Sequence, residues 1–288
     1  MTNKLKLSIG DIIFLLIAEK GRGTLKGYAP YHLFLTKNRP EVILRFRYSS
    51  DFQGDKNLPG KILFDAQPNW RLCYSNKKYI FQTRDRTAIL TPDFTSGEIY
   101  ITKNLRSFPF TYPLDEILII NLLAQGRGIM VHACGVKDNR RGLLFAGASQ
   151  AGKSTIANLW KLQTANGKLH NEGVSILSDD RIIIRKMNRQ FWMYGTPWHG
   201  DANVCSPEKV PLKKIFFLKH AKKNTAKKIA PMEATSRLIV CSFPTFWDKK
   251  GMEFTLSFCA ELAEKVPCYE LGFVPDESVL DFVEEVRF

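Results

Sequence analysis

The chain has 288 residues, of which 44% are hydrophobic and 24% charged, and its formal net charge is +14. This composition predicts a folded, soluble protein of one or two domains with ample apolar material for a core. The excess of positive charge predicts an acidic partner, which could be a nucleotide, an acidic protein or peptide, nucleic acid or a membrane surface. Charge alone does not choose among them.

The six cysteines are far apart in sequence and form no C-x-x-C pair. This spacing speaks against a zinc site and against a dense disulfide framework, and it favours a reducing cytoplasm. Near the N-terminus the apolar run IIFLLIA follows two lysines. It is far shorter than the ~20 residues needed to cross a bilayer, so we predict a buried strand there and no membrane span.

From residue 4 to about residue 102 the sequence reads as successive short strands. The segment VILRFRYS alternates apolar and basic residues, which is the period of a half-buried antiparallel strand. The segment WRLCYSNKKYIFQT predicts a hairpin that turns at residues 75–77. Further strands are predicted at residues 61–64, 87–90 and 98–102. With no convincing helix and no constellation of catalytic residue types, residues 1–108 are predicted to form a smaller, antiparallel β-rich accessory domain.

Two prolines, Pro109 and Pro113, bias the residues before them toward extended backbone and mark the predicted domain boundary. Beyond them, apolar residues recur at helical spacing over residues 114–122, and Gly126 is placed to end that helix. The runs GIMVHACGV and RGLLFAG, joined by KDNR, then predict a hairpin that leads into a glycine loop, a helix and further strands. Residues 109–288 are therefore predicted to form an α/β domain.

The glycine loop carries the pattern G-x-x-x-x-G-K-S between a predicted strand and a predicted helix. In that context successive backbone N–H groups and the helix N-terminus converge on an anion, so the pattern predicts a nucleotide phosphate site. Lys153 would reach the terminal phosphates, and the Ser154 hydroxyl would ligate Mg²⁺. The predicted phosphate-binding residues are Gly147, Ala148, Ser149, Gln150, Ala151, Gly152, Lys153, Ser154 and Thr155.

Two adjacent carboxylates, Asp179 and Asp180, end the next β-branched run. Phosphoryl transfer to a hydroxyl needs carboxylates for the metal and a base for the acceptor, and α/β proteins place such groups at the carboxyl ends of strands. Neighbouring residues on a strand point to opposite faces. We therefore expect the two aspartates to have different roles.

The stretch 131–181, with VHACGV, a hairpin, GASQAGKS and LSDDR in that order, resembles the catalytic domain of the HPr kinase/phosphorylase family. The P-loop core of that family is related to the phosphoenolpyruvate carboxykinases. The resemblance extends in organisation over about residues 115–288 and implies an α/β fold with a P-loop kinase core and a mixed sheet. The N-terminal region looks more like that of the shorter HPr-kinase-related proteins, which include kinases of ribosomally made peptides.

The resemblance implies ATP and Mg²⁺ as cofactors and an acceptor serine on a protein or peptide. We assign Asp179 as the base and Asp180, with Ser154, as the metal ligand. His132 falls where the family carries a histidine near the phosphates, although a histidine satisfied inside the hairpin would give the same pattern. The family has a glutamate where this chain has Thr155, so one metal-site carboxylate is missing and phosphorylase activity is not implied.

The segment YGTPWHGDANVCS is similar to Trp-His-Gly segments of the HPr-kinase-related proteins. Its His199 and Asp201 could meet the terminal phosphate or the acceptor, or could belong to a structural turn. Arg237, on a predicted helix, is either a phosphate clamp or a surface arginine. The lysine-rich segment 219–228 is either a solvated loop or a docking patch for an acidic acceptor.

These observations lead to the hypothesis of an ATP- and Mg²⁺-dependent kinase that phosphorylates a serine-type hydroxyl. A small-molecule hydroxyl kinase and a catalytically weak nucleotide-binding regulatory protein are the alternatives. The expected partners are a nucleotide and a protein or peptide acceptor that could be acidic, with no nucleic acid and no membrane. A homo-oligomer is expected only by analogy with the hexameric HPr enzymes.

Overall fold

The computed structural model describes residues 4–18, 25, 29–49, 60–66, 68–102, 108–165 and 173–286 of the chain. Within these ranges it contains two large mixed sheets and five α-helices, so the protein is of the mixed α/β class. The chain divides into two compact units, one of Met1–Leu122 with Thr245–Lys249 and the other of Leu123–Pro244 with Lys250–Phe288. The domain boundary placed after residue 108 stays a prediction.

The first unit contains one eight-stranded sheet in the order β1-β2-β3-β8-β7-β6-β5-β4. Its strands are β1 (Lys4–Ile9), β2 (Ile12–Ala18), β3 (Val42–Ser49), β4 (Lys61–Ala66), β5 (Trp70–Ser75), β6 (Lys78–Thr83), β7 (Arg86–Leu90) and β8 (Ser96–Thr102). A short 3-10 helix covers Tyr31–Phe34. The apolar run near the N-terminus is β2, in which every second residue is buried, as a strand in the core requires.

The predicted antiparallel arrangement of this sheet is wrong at β3. Both neighbours of β3, which are β2 and β8, lie parallel to it, while the other five pairings are antiparallel. Parallel neighbours need a long crossover connection, and β4 to β7 lie between β3 and β8 along the chain. The alternation of apolar and basic residues in β3 indicates which side chains are buried. It carries no information about the direction of the neighbouring strands.

Local sequence signals predicted several elements correctly. The β5–β6 hairpin turns at Asn76 and Lys77, both with left-handed backbone at φ 50° and 57°. Helix α1 (Leu114–Ala124) is followed by Gly126 at φ 83°.

The sequence predicted that only one face of α1 is buried, but every residue of this helix is buried. Its buried Asp115 accepts hydrogen bonds from the Tyr31 hydroxyl and from the Glu116 N–H.

The second unit holds the other eight strands and most of the helices. They are β9 (Ile129–Asp138), β10 (Arg141–Ala146), α2 (Lys153–Ala165), β11 (Val174–Ser178), β12 (Arg181–Met187), β13 (Gln190–Tyr194), β14 (Lys209–His220), β15 (Thr225–Lys228), α3 (Pro231–Cys241), α4 (Lys249–Lys265), β16 (Cys268–Phe273) and α5 (Ser278–Glu285). The predicted hairpin is confirmed, because β9 and β10 pair antiparallel.

The long strands β9 and β14 each take part in two ladders. One ladder runs β11-β9-β10-β14-β16-β15, and the other runs β9-β12-β13-β14. Within the first ladder β10, β14 and β16 are parallel to one another. Their carboxyl ends therefore meet at one edge, which is where open α/β sheets bind ligands.

Helices cover both faces of this ladder. Alternate side chains of β10 belong to two apolar clusters, one with Leu144 and Ala146 and the other with Leu143 and Phe145. The first cluster packs against α3 and α4, and the second against α2 and α5. None of the described helices is long and apolar enough to span a bilayer, and all six cysteines are free thiols.

We expect Phe145→Ala to destabilise the second unit strongly. The Phe145 ring is fully buried and stacks on Phe216 with ring centroids 5.3 Å apart, so its loss would leave a cavity beneath the glycine loop. Large-to-small changes of this kind cost about 3–5 kcal/mol. Urea unfolding measures this, with Leu162→Ala on α2 as the control, because Leu162 is 53% exposed. Equal effects of the two substitutions would contradict the packing described.

Candidate functional site

The glycine loop, residues 147–152, connects β10 to α2 at the edge where the parallel strands end. Gly152 has φ +102°, a backbone conformation that favours glycine, and an added Cβ would lie 2.5 Å from the Phe273 ring. Phe273 is the last residue of β16. The loop therefore turns tightly against the neighbouring strand, and only glycine fits at this position.

Lys153 begins α2 and turns its side chain back into the loop. Its Nζ donates hydrogen bonds to the carbonyl oxygens of Gly147 and Ala148 at 3.0 and 2.8 Å, and the residue is 6% exposed. Burial lowers the pKa of Lys153, although nearby acidic and thiol groups, Asp180 among them, act in the opposite direction. The loop thus encloses a cation at the N-terminus of a helix, where an anion would be attracted.

Asp179 is the buried carboxylate of the site. One of its oxygens accepts hydrogen bonds from the Ser154 hydroxyl at 3.0 Å and from the Ala202 N–H at 2.9 Å, and the other accepts the Gly200 N–H at 2.8 Å. The residue is 1% exposed. A Cβ at Gly200 would lie 2.8 Å from Asp179 Oδ2, so a glycine is needed for this approach. Asp179 therefore links the loop to the segment that follows β13.

Asp180 has a different environment, with a histidine and an arginine as partners. Its Oδ1 lies 3.1 Å from His132 Nε2 and 2.5 Å from an Arg181 guanidinium nitrogen. The guanidinium also lies over the Phe243 ring, 4.5 Å from its centroid. Burial tends to raise the pKa of Asp180, but hydrogen bonds and charge from His132 and Arg181 outweigh it and hold that pKa below its usual value.

The two aspartates lie together in the break between β11, which ends at Ser178, and β12, which begins at Arg181. Ser178 fixes this break, because its Oγ accepts the N–H groups of Asp180 at 3.0 Å and Arg181 at 3.1 Å and donates to the Trp198 carbonyl at 2.7 Å. His132 reaches Asp180 because β12 pairs antiparallel with β9 and places Arg181 opposite His132. The two aspartates therefore have different surroundings, and their expected difference in role stays a prediction. The contribution of Ser178 was missed, since a lone serine before two aspartates carries no clear signal.

These groups line a cavity of about 360 Å³. The lining residues are His132, Ser149, Gln150, Gly152, Lys153, Ser154, Thr155, Asp179, Asp180, Gly200, Asp201 and His220. His220 was not predicted, and it approaches the loop with Nε2 2.9 Å from the Gln150 carbonyl oxygen. Sequence offers no local signal for it, because only the parallel pairing of β14 with β10 brings the two segments together.

Two predicted candidates do not reach the cavity. His199 is not among the described lining residues, and its Nδ1 lies 3.3 Å from the Gly200 carbonyl oxygen. Arg237 is not among those lining residues either, and its guanidinium lies 2.6 Å from Glu233 and 2.7 Å from Glu270. These contacts agree with the alternatives of a structural turn for His199 and a surface arginine for Arg237, and the roles of both residues stay predictions.

The described residues contain no group of three or more His, Cys, Asp or Glu side chains arranged to hold a metal ion. Mg²⁺ commonly takes one or two protein carboxylates and completes its octahedron with substrate phosphates and water. The adjacent oxygens of Ser154 and Asp179 fit that requirement. The site is thus compatible with Mg²⁺ brought in with a nucleotide.

No known family profile matches the sequence, and no curated protein matches it significantly. Among solved structures, the Hpr(Ser) kinase/phosphatase from Coxiella burnetii is similar to part of this chain at 12% sequence identity. The aligned region covers 54% of this chain and 90% of that chain, with a TM-score of 0.28. A TM-score this low supports no inference, so we draw the function from the contacts of the site itself.

We expect Arg181→Gln to raise the pKa of Asp180 toward that of an ordinary aspartate, because a charge and a charged hydrogen bond are lost. A carboxyl whose folded pKa is depressed contributes stability above its unfolded pKa and loses it as the pH falls through the folded value. The variant should therefore lose that contribution at a higher pH than the parent. NMR titration of the Asp180 carboxyl carbon measures the shift, and an unchanged midpoint would contradict the pairing.

Proposed function

We propose that this protein is an ATP- and Mg²⁺-dependent kinase that transfers the terminal phosphoryl group to a serine-type hydroxyl of a protein or peptide. In this proposal β10, the glycine loop and α2 form a P-loop core of the HPr kinase type. The observation that carries it is that four groups line one cavity. They are Lys153, which is enclosed by the loop, Ser154, which is hydrogen-bonded to Asp179, and the neighbouring Asp180. A buried cation, a hydroxyl and two carboxylates are the groups that phosphoryl transfer requires.

We reverse the roles that the sequence suggested for the two aspartates. The Asp179 carboxylate accepts a hydrogen bond from the Ser154 hydroxyl and is almost fully buried. Both features support Asp179 as the metal ligand, together with the Ser154 hydroxyl. Asp180 is 24% exposed at its side chain and lines the cavity, so an acceptor hydroxyl could approach it. His132 and Arg181 are then positioning residues that hold the Asp180 carboxylate in place.

The transfer breaks the bond between the terminal phosphorus and the bridging oxygen of ATP and forms a bond from that phosphorus to the acceptor oxygen. The hydroxyl proton passes to the Asp180 carboxylate, and ADP leaves. The lowered pKa of Asp180 makes it a weak base, but a loose transition state leaves most of the work to positioning. Asp180 therefore acts chiefly by orienting the hydroxyl.

The remaining groups of the site bind charge. Lys153, released from the Gly147 and Ala148 carbonyls, would meet the terminal phosphates, and the loop N–H groups would hold the others. Bound Mg²⁺ would supply further neutralisation of the phosphate charge. Thr155 lines the cavity where the HPr enzymes have a glutamate, so we propose no reverse phosphorylase reaction.

Lys153→Met should lower the rate of transfer by about 10²–10³-fold, the cost typical of removing one charge-stabilising donor from a transition state. Methionine keeps most of the buried side-chain volume, so folding should be largely retained. The control is Lys161→Met, two turns further along α2 and exposed. The assay is γ-labelled ATP with peptides and proteins of the host cell, and near-normal transfer by the Lys153 variant would remove the loop from the mechanism.

Substitutions of the two aspartates should separate binding from transfer. Asp179→Asn should weaken Mg²⁺-dependent nucleotide binding, whereas Asp180→Asn should bind nucleotide normally and transfer about 10²–10⁴-fold more slowly. Calorimetric titration with nucleotide and single-turnover assays measure the two effects. The opposite pattern would restore the assignment made from sequence.

The parent protein distinguishes the alternative functions. Turnover of free hydroxyl metabolites without peptide would identify a small-molecule kinase, and nucleotide binding without turnover would identify a regulatory protein.

A further inference from the structure

The two ends of the long ladder in the second unit differ in how they are covered. At one end the segment that follows β13 pairs with β11. The pairing consists of an isolated antiparallel β-bridge between Ser178 and Cys205 and a 3.0 Å hydrogen bond from the Ser206 N–H to the Leu177 carbonyl. At the other end β15 pairs with β16 on one side. In the part of the chain that the structure describes, nothing pairs with the outer side of β15.

The register shows which backbone groups face that open side. The Ile229 N–H donates to the Cys268 carbonyl at 3.0 Å, and hydrogen-bonded positions alternate along an antiparallel pair. Ile229, Lys227 and Thr225 therefore direct their backbone groups toward β16. Ala226 and Lys228 direct their N–H and C=O groups away from it. The parallel pairing of β14 with β16 is consistent with this register. The Ile215 N–H donates to the Pro267 carbonyl at 3.0 Å, so the Pro267 carbonyl faces β14 while that of the next residue, Cys268, faces β15.

Several lysines surround this edge. Lys222, Lys223, Lys227 and Lys228 form no ion pair with any described residue. Glu270, which lies opposite Lys227 on β16, is already bound by Arg237 at 2.7 Å and lies 3.6 Å from Lys219. Because side chains alternate along a strand, Lys227 and Lys228 lie on opposite faces of β15. An extended segment added here would meet lysines on both of its faces.

We propose that the outer edge of β15 docks an extended acidic segment of the phosphate acceptor by strand addition. Main-chain hydrogen bonds to Ala226 and Lys228 would supply the pairing, and the lysines would select acidic side chains. The same lysines disfavour pairing with a second copy of this edge, because like charges would then lie opposite each other. The proposal rests on the proposed kinase function only in identifying the docked segment as part of the acceptor.

The sheet also relates the docking edge to the cavity. Thr225, the first residue of β15, lies opposite Gly272, beside the Phe273 ring that contacts Gly152. From β10 the ladder passes through β14 and β16 to β15, so an added strand lies four strand spacings, or ~19 Å, from the loop. An extended chain covers that distance in about six residues. The docking segment is therefore separated from the acceptor hydroxyl by at least about six residues.

A matched pair of variants tests the edge. Lys228→Ala and Lys228→Pro remove the same charge, but only the proline removes the outward N–H, and proline is tolerated where that group faces solvent. The probe is a short fluorescent peptide in which glutamate alternates with valine, measured by anisotropy without nucleotide. We expect the proline variant to bind at least about fivefold more weakly than the alanine variant. Equal affinities would overturn strand addition.

A second probe leaves the protein unchanged and so does not depend on how the proline variant folds. The same peptide with every second backbone nitrogen methylated keeps its charge but cannot add as a strand on that side. It should bind the parent protein at least about fivefold more weakly. Equal binding of both peptides would mean that the lysines attract any polyanion, and the proposal would fail.

The link to catalysis is measured separately. Serine is attached to the docking peptide through glycine-serine spacers of about three or about ten residues, lengths chosen on either side of the estimated span. Only the longer spacer should lower the KM for transfer, and Lys228→Pro should abolish that advantage while the KM for ATP is unchanged. Docking without transfer would leave the edge site standing and count against the kinase function. Transfer with equal KM for both spacers would overturn the role of the edge.

Discussion

The parallel pairing of β10, β14 and β16 determines where the candidate site of this protein lies. Parallel strands deliver their carboxyl ends to one edge, and here that edge receives the glycine loop, His220 and Phe273. The contacts among them are close: His220 Nε2 lies 2.9 Å from the Gln150 carbonyl oxygen, and the Phe273 ring leaves no room for a side chain at Gly152. The loop is therefore shaped by residues far away in sequence, and its geometry depends on that ladder remaining in register.

The break between β11 and β12 gives two chemically identical neighbours different properties. Asp179 is surrounded by two backbone N–H groups and a hydroxyl, while Asp180 faces His132 and an arginine. Neutral donors can hold a carboxylate that also binds a metal, whereas cationic partners fix its orientation and lower its basicity. Ser178 makes this possible, because its hydroxyl satisfies two backbone N–H groups that would otherwise be left unpaired where the strand is interrupted.

The strong positive charge of the chain is used in two ways within the second unit. Near the cavity it is enclosed or paired, as with Lys153 in the loop carbonyls and Arg181 on Asp180. Along β15 it is open to solvent and uncompensated by described residues. Exposed charge is screened over about 10 Å at moderate salt, while enclosed charge is screened much less. The proposed docking at β15 and the proposed nucleotide binding therefore differ in how strongly salt screens the charges they use.

The sequence by itself determined the local elements and the chemical content of the site. A short apolar run identified β2, alternation identified β3, turn residues identified the hairpins, and the G-x-x-x-x-G-K-S pattern with Asp179 and Asp180 identified groups that line one cavity. Such signals depend on neighbours along the chain. Tertiary structure alone decided strand direction at β3, the approach of His220 to the glycine loop, the ion pair of Arg237 with Glu270 and the exposure of the β15 edge. These outcomes depend on which distant segments lie side by side, and a residue's nearest partner in space leaves no trace in its local pattern.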